Sequence, residues 1–152
     1  MFVTVWIGII NLKTGFMECA NAGHEYPAIM HGNGKFEIVR DKHSLPLAAI
    51  PILKSKPYEL QLYPGDRLFV YTDGVPEAIN DQEEQYGENR MLQVLNRYRW
   101  QDMTEILPKI REDIQNFTGS APQFDDITML GFTYYGPEGK SKAAPFQTDQ
   151  TA

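Results

Sequence analysis

The chain has 152 residues, which is the length of about one domain. Its 42% hydrophobic and 22% charged residues are typical of a folded globular protein and exclude a disordered chain, a collagen-like repeat and a coiled coil. The formal net charge of −6 argues against a nucleic-acid-binding surface and a polybasic membrane surface, and no apolar run approaches the roughly 20 residues that span a bilayer.

The single cysteine, Cys19, cannot form an intrachain disulfide, so we expect a reducing, cytoplasmic compartment. Cys19 lies within a strand-like segment, where we expect a core side chain and not a nucleophile. The chain begins with a strand-like sequence, MFVTVWIGIINL, without the charged region and cleavage site of a signal peptide. This start predicts a piece of a longer protein.

The first half of the chain predicts short strands joined by tight turns. Residues 2–12 are β-branched and aromatic, which is typical of a strand covered on both faces. The turns at 13–15 and 31–34 contain glycine, so each is expected to join two strands of a hairpin. The remaining predictions here are strands at 16–21, 26–31, 35–40, 58–62 and 67–72, a proline-rich loop at 44–57 and a turn at 64–66.

The second half predicts two helices. Residues 76–87 are acidic and polar, which fits a surface loop or a short helix, and residues 88–98 place their apolar side chains on one side of a helix. A second helix is expected to begin at Asp102, with Glu105 at the capping-box spacing, and to end at Gly119.

Pro108 lies inside the second helix and predicts either a kink or a later helix start. The last strand is expected at 125–135, and residues 136–152 have the composition of a disordered tail. Many strands followed by two late helices, without βαβ alternation, predict an α+β fold with antiparallel sheets.

Two acidic sites at strand ends are candidates for metal binding. Asp73 and Gly74 follow the strand at 67–72, and Asp125 and Asp126 begin the last strand. If these strands pair antiparallel, both sites fall on the same edge of the sheet. Carboxylates that meet there suit Mg²⁺ or Mn²⁺, and a glycine lets a backbone carbonyl approach closely. The alternative is that Asp-Gly is only a turn and Asp-Asp only a solvated loop.

A third candidate is His24, in the turn sequence NAGHEYP. It can serve as a proton carrier or a metal ligand, or be an exposed turn residue without a chemical role. The three histidines lack zinc-binding spacing, and the phosphate-loop, dinucleotide-binding and catalytic-serine motifs are absent from the sequence. The aromatic residues lack basic neighbours, so a nucleic-acid stacking surface is not expected.

Five segments, in this order, resemble one family: MFVTVWIGIINLKTG, NAGHEYP, LYPGDRLFVYTDGVPEA, YGENRM and QFDDITML. They are similar to the SpoIIE/RsbU-type branch of the metal-dependent protein phosphatases (PPM), the protein phosphatase 2C-like superfamily. The resemblance implies an antiparallel β-sandwich flanked by helices. It also implies that residues 1–135 are the C-terminal portion of the phosphatase domain, incomplete at the N-terminus.

The resemblance implies roles for individual residues. Asp73 and Asp125 match the family's metal-binding aspartates, with Gly74 beside the first, and Glu77 matches an acid near an additional, weaker metal. In the family, two Mn²⁺ or Mg²⁺ ions activate a water molecule that attacks the phosphorus of a phosphoserine or phosphothreonine. These four residues are therefore the expected catalytic and metal-binding residues.

The resemblance also implies that Asp126 and His24 lie beside the metal ligands. Relatives often have Asn at the position of Asp126, and more distant relatives have Asp at the position of His24. The resemblance implies a phosphorylated anti-sigma-factor antagonist, a small bacterial regulatory protein, as the substrate. It also implies an upstream sensor or receiver domain. No membrane contact is expected of this segment.

One family feature has no counterpart here: the Gly-Asp-x-x-Asp strand and the Asp-x-x-Gly-x-Gly turn that supply the ligands bridging the two metals. Asp41 is out of order for that role, and Asp66 lies in a turn. We therefore expect an incomplete two-metal site, weak Mn²⁺ binding and little activity from this chain alone. The alternative function is a non-catalytic phosphatase-like interaction module; a β-rich ligand binder has no positive support.

Two further expectations concern the loop at 44–48 and the sheet edges. The sequence SLPLA resembles the family's Gly-x-Pro-Leu-Gly loop, with Ser44 and Ala48 in the glycine positions. Because the family's first strands are unmatched, the strand that contains Trp6 is expected to leave an unpaired edge and an exposed apolar face. That surface predicts a homodimer or a strand swap.

Overall fold

A computed structural model describes residues 2–40, 43–48, 56–123 and 125–139. Seven strands form two antiparallel sheets, and two helices follow the sixth strand. The elements are β1 (Val5–Ile10), β2 (Phe16–Ala22), β3 (Ala28–Met30), β4 (Phe36–Ile38), β5 (Tyr58–Gln61), β6 (Arg67–Tyr71), α1 (Gly87–Arg97), α2 (Met103–Thr118) and β7 (Met129–Thr133). The predicted tail beyond residue 139 lies outside the described residues.

The two sheets pack face to face. The first has the strand order β1-β2-β5 and the second the order β4-β3-β6-β7. Their shared core combines Met17 and Cys19 of β2 with Leu68 of β6. The predicted core position of Cys19 is thereby confirmed, and this layer is the expected β-sandwich.

The helices cover the other face of the second sheet. Phe69 and Tyr71 of β6 point away from Leu68 and share a second core with Met91 of α1 and Ile106 of α2. This alternation along β6 follows from the two-residue period of a strand. The fold is therefore sheet, sheet and helices in three layers, as the α+β prediction required.

The second helix begins where its capping residues predict. The Asp102 backbone N–H donates to the Glu105 carboxylate over 3.2 Å, as in a capping box, and the chain leaves the helix at Gly119. Pro108 lies within α2, which begins at Met103, so the structure excludes the later helix start, the second of the two alternatives. Proline removes only its own donor, and the buried side of the helix remains packed.

The first strand departs from prediction. Among the described strands, β1 pairs with β2 alone, and its outward side chains Ile7 and Ile9 are 51% and 67% exposed, so the described residues do not cover the strand on both faces. Trp6 and Ile10, on the other face, pack against the sandwich core. The sequence pattern could not distinguish the two cases, because burial of the outer face depends on what packs on it.

Smaller differences concern turns and strand ends. The chain enters β7 only at Met129, so the four residues from Asp125 are loop and not strand. The 76–87 segment is a series of turns closed by an isolated bridge between Ile79 and Gln85, which is the loop alternative. Ala48 adopts φ +63°, a conformation that favours glycine, in line with its expected glycine position.

Candidate active site

The pairing of β6 with β7 brings the two acidic sequences together. Tyr71 lies opposite Met129 in the antiparallel register, and the Thr72 backbone N–H donates to the Thr128 carbonyl over 3.0 Å just beyond it. Asp73 follows the end of β6, and Asp126 precedes the start of β7, so the two residues lie beyond the same end of this strand pair. The expectation that both acidic sites fall on one sheet edge is confirmed.

Thr72 ties the two segments together. Its hydroxyl donates to the Asp126 carbonyl over 2.9 Å and accepts the Thr128 backbone N–H over 3.0 Å. The Asp126 carbonyl also lies against Gly74: a Cβ on that glycine would be only 2.5 Å from the oxygen. No other residue type fits at this position without moving one of the two segments.

Both aspartates are oriented by the next backbone N–H. Asp73 Oδ1 accepts from Gly74 over 3.1 Å, and Asp125 Oδ1 accepts from Asp126 over 2.6 Å. Glu77 follows one turn later, and its backbone N–H donates to the Asp73 carbonyl. The three aspartates and Glu77 are all exposed, so their oxygens are open to solvent and to a ligand.

The chemistry of these donors fits Mn²⁺ or Mg²⁺, which prefer carboxylate and carbonyl oxygens. The carboxylates of Asp73 and Asp125 and the carbonyl of Gly74 are of that kind. Their number is small: within the described ranges, no group of three or more His, Cys, Asp and Glu side chains is arranged to hold a metal ion. These residues therefore fit one part of a metal site.

A buried asparagine holds the turn that carries His24. The Asn21 side chain is 2% exposed; it donates to the carbonyls of His24 and Glu25 over 2.9 and 3.4 Å and accepts the His24 backbone N–H over 2.8 Å. The Ser44 hydroxyl donates to the Asn21 carbonyl over 3.1 Å. This network fixes His24 and Glu25 in place beside the sheet edge.

His24 and Glu25 both lie within the electrostatic field of Asp73. Burial lowers the pKa of His24, and the Asp73 charge together with a hydrogen bond to the Tyr71 backbone opposes part of that effect. Burial raises the pKa of Glu25, and the nearby charges of Glu88, Asp73 and Glu77 raise it further. The edge is thus strongly acidic on this side.

Arg40 is the cation at this acidic rim. It pairs with Glu88 at the start of α1, lies over the Tyr26 ring at 5.7 Å, and lowers the pKa of Glu25 against the other causes. The Tyr71 hydroxyl donates to the other oxygen of Glu88 over 3.4 Å, so α1 is joined to β6 here.

The structure brings five of the predicted site residues to one edge, and their metal-binding and catalytic roles stay predictions. His24, Asp73, Gly74, Glu77 and Asp126 surround the same strand ends, and Asp125 begins the loop on the β7 side. Glu25, Thr72, Glu88 and the structural role of Asn21 were not predicted from the sequence. The sequence signal for Glu25 and Asn21 was their place in NAGHEYP; no local pattern marks Thr72 or Glu88.

Asp66 stands apart from this site. It lies at the opposite end of β6, is 1% exposed, and is hydrogen-bonded to His31 over 2.6 Å and to the backbone N–H of Gly32 over 2.7 Å. It joins the turn at 64–66 to the turn at 31–34, which agrees with its exclusion from the metal ligands.

Sequence comparisons place the chain among known proteins. A family model described as Stage II sporulation protein E (SpoIIE) matches residues 1–135. Protein IcfG of Synechocystis sp. (strain ATCC 27184 / PCC 6803 / Kazusa) is 32% identical over an alignment of 135 residues, and the match covers 86% of this chain and 20% of IcfG. The chain thus spans about a fifth of that relative.

Several solved structures share the fold. The RsbU and RsbW domains of Rv1364c from Mycobacterium tuberculosis match with a TM-score of 0.71 at 19% identity, over 88% of this chain and 36% of that one. The phosphatase domain of the cell fate determinant SpoIIE from Bacillus subtilis gives 0.67 at 20% identity, over 90% and 60%. The SiaA-PP2C domain of Pseudomonas aeruginosa gives 0.65 at 21% identity, over 79% and 46%.

These likenesses identify a PP2C-like phosphatase fold, and the chain spans between 36% and 60% of these three structures. No helix among the described residues is long and apolar enough to cross a bilayer.

Proposed function

Because this chain belongs to the SpoIIE family and has a PP2C-like phosphatase fold, we propose that it contributes one half of the active site of a metal-dependent protein serine/threonine phosphatase. The observation that carries the proposal is the close contact between Gly74 and the Asp126 carbonyl. It fixes two acidic segments, 52 residues apart in sequence, at one sheet edge. Such an edge of hard oxygen donors is what divalent cations of this class bind.

In this proposal Asp73, Asp125 and the Gly74 carbonyl hold the metal, and Glu77 lies near a weaker ion. A bound pair of Mn²⁺ or Mg²⁺ ions would supply a water of lowered pKa and neutralise phosphoryl charge. Other residues of this chain hold the ligands in position. Thr72 holds the two acidic segments in register, and Asn21 holds His24 beside Asp73. His24 is placed to exchange a proton at the rim of the site.

The proposed substrate is phosphoserine or phosphothreonine on a bacterial regulatory protein of the anti-sigma-factor antagonist type. The support is the likeness to a structure that contains RsbU and RsbW domains, and to the phosphatase domain of SpoIIE. IcfG and the Rv1364c chain extend well beyond the matched region, which gives room for sensor or receiver domains in proteins of this kind. The partners are therefore a phosphoprotein and an upstream regulatory domain.

A second function, a non-catalytic phosphatase-like interaction module in signalling, is favoured by one observation. Within the residues that the structure describes, the side chains that could hold metal do not reach three in any group. A chain that only binds partner proteins through the same surface would not need a complete set of metal ligands.

Phosphate release from a synthetic phosphoserine peptide distinguishes the two functions. We expect slow release by the wild-type chain that requires Mn²⁺ and disappears in Asp125→Asn. The control Asp81→Asn, an exposed aspartate hydrogen-bonded to Ser120, should retain the wild-type rate. Absence of both Mn²⁺ binding and Mn²⁺-dependent release from a correctly folded wild-type chain would instead support the interaction module.

A further inference from the structure

A surface groove of about 730 Å³ opens directly beside the acidic edge. We call it the α2 groove: its helical wall includes Leu107, Arg111 and Ile114, and its other wall includes Gly74, Asp125 and Ile127. It is large enough to take several side chains of a polypeptide. Because Gly74 and Asp125 belong to both, the groove is continuous with the proposed active site.

The helical wall is one face of α2. Leu107, Arg111 and Ile114 are spaced four and three residues apart, so they lie in a row along the helix. Ile114 is buried, whereas Arg111 is exposed at the groove. The groove therefore offers an apolar floor and one positively charged side chain on its helical wall, with the carboxylates of Asp125 and Asp126 at the end next to the proposed metal site.

Arg111 is the only Lys or Arg among the residues that line the groove, and it makes no ion pair with any described residue. By contrast, Arg90 of α1 pairs with Asp113 over 2.9 Å. A guanidinium without a carboxylate partner can pair with a carboxylate that a ligand supplies.

The opposite side of the site has the reverse charge. The charges of Glu88, Asp73 and Glu77 all act on Glu25, so four carboxyl groups lie near one another there. An acidic peptide segment would be repelled there and attracted to Arg111. Since the whole chain carries a net charge of −6, this single cation on the helical wall of the groove is a specific feature and not part of a basic surface.

Resting on the proposed function, we infer that the α2 groove binds the segment of the phosphoprotein substrate next to its phosphorylated residue. An apolar side chain of that segment packs on the groove floor, and an acidic side chain pairs with Arg111. The groove thereby selects phosphorylation sites that have an acidic residue at a fixed distance, and Arg111 acts as a specificity-determining residue.

Binding of labelled peptides tests this inference without relying on turnover. Each fluorescein-labelled peptide has a central phosphoserine and a leucine, with a single glutamate or lysine moved through successive positions on either side. Fluorescence anisotropy with Mn²⁺ should show tighter binding of the glutamate peptide, by about threefold, at one or more positions. Arg111→Gln should abolish this preference, and Arg111→Glu should reverse it.

The matched control is Lys109→Glu, which makes the same charge change on the same helix at a residue paired with Glu112. It should leave the preference intact. The inference is overturned if no peptide binds, if no position shows a charge preference, or if Lys109→Glu has the effect of Arg111→Glu. A change of oligomeric state in Arg111→Glu would also overturn it, since the groove would then contact a second copy.

The same titrations separate this inference from the proposed function. Phosphopeptide binding that requires Mn²⁺ but shows no charge preference overturns the groove and leaves the phosphatase proposal standing. A preference that depends on Arg111 but persists with unphosphorylated serine and without Mn²⁺ supports the groove and counts against the phosphatase proposal.

Discussion

Gly74 and Asp126 are in backbone contact across the edge of the second sheet: a Cβ at position 74 would lie 2.5 Å from the Asp126 carbonyl oxygen and 3.0 Å from its carbonyl carbon. The contact joins the end of β6 to the loop before β7. Both proposed metal-binding aspartates are therefore positioned by backbone packing, before any ion is bound.

Gly74→Ala should consequently disturb the site more than the fold. The added methyl group forces the two segments apart, at an expected cost of about 1–3 kcal/mol in the free energy of unfolding. Mn²⁺ affinity should fall as well, because Asp73 and Asp125 move relative to each other. Urea denaturation and Mn²⁺ titration measure the two effects.

Gly32→Ala is the control, since nothing lies within 4 Å of its added Cβ. Its φ of +53° makes the substitution mildly destabilising, but Mn²⁺ affinity should not change. Equal loss of Mn²⁺ affinity in both variants would show that the Gly74 contact does not position the aspartates.

Asn21→Ala should destabilise the chain by about 2 kcal/mol, because it leaves the His24 backbone N–H without its buried acceptor. Asn80→Ala is the comparison: its side chain also bonds to nearby backbone groups, but at an exposed turn, and about 0.5 kcal/mol is expected. Chemical denaturation of both variants measures the difference. Equal losses would mean that burial of Asn21 has no special role in holding the turn.

The Asp113 carboxylate joins the two helices by accepting from Arg90 and from the Tyr86 hydroxyl, each over 2.9 Å. Burial raises its pKa, but the hydrogen bonds from Arg90 and Tyr86 outweigh burial, so the net pKa is lowered. A lowered folded-state pKa gives stability that is present above the ordinary value of 3.8 and is lost as the pH falls below it.

Asp113→Asn should therefore lower the free energy of unfolding by about 1 kcal/mol at pH 7, with a smaller difference from wild type below pH 3.8. Glu112→Gln, which removes an exposed pair with Lys109, should change stability by less than about 0.5 kcal/mol. A difference between Asp113→Asn and wild type that does not vary with pH would show that the charge of Asp113 is not involved.

The exposed face of β1 predicts self-association. Ile9 is 67% exposed beside an unpaired strand edge, so we expect the wild-type chain to form a dimer, by edge pairing or strand exchange, at high concentration. Ile9→Lys should shift the chain toward the monomer in light scattering after size-exclusion chromatography. Leu130→Lys, at an exposed position of β7, an edge strand of the second sheet, should leave the dimer intact. A wild-type monomer throughout would contradict the prediction.

The sequence predicted those parts of the fold that are determined by interactions between residues close together in the chain. The strand that begins at Arg67 and the capping of α2 by Asp102 and Glu105 are properties of short segments. The pairing of the two acidic strand ends also followed from strand order and direction.

Other features depend on distant parts of the chain and left no local signal. Glu25 joins the acidic edge only because Asn21 folds its turn back toward β6, and Glu88 arrives from the first turn of α1. The exposure of Ile9 depends on whether anything covers the outer face of β1. In the sequence, Arg111 is only one of several charges on an amphipathic helix, because the opposite wall of its groove is formed by the distant loop at Asp125.

The most direct test of the central claim is Mn²⁺ binding, measured by electron paramagnetic resonance as loss of the free-ion signal. We predict weak binding by the wild-type chain and a loss of affinity of about tenfold or more in Asp73→Asn and in Asp125→Asn. The double variant should bind little more weakly than either single one, because both carboxylates serve one site. Wild-type affinity in either single variant, with Asp81→Asn as the control, would contradict a metal site shared by Asp73 and Asp125.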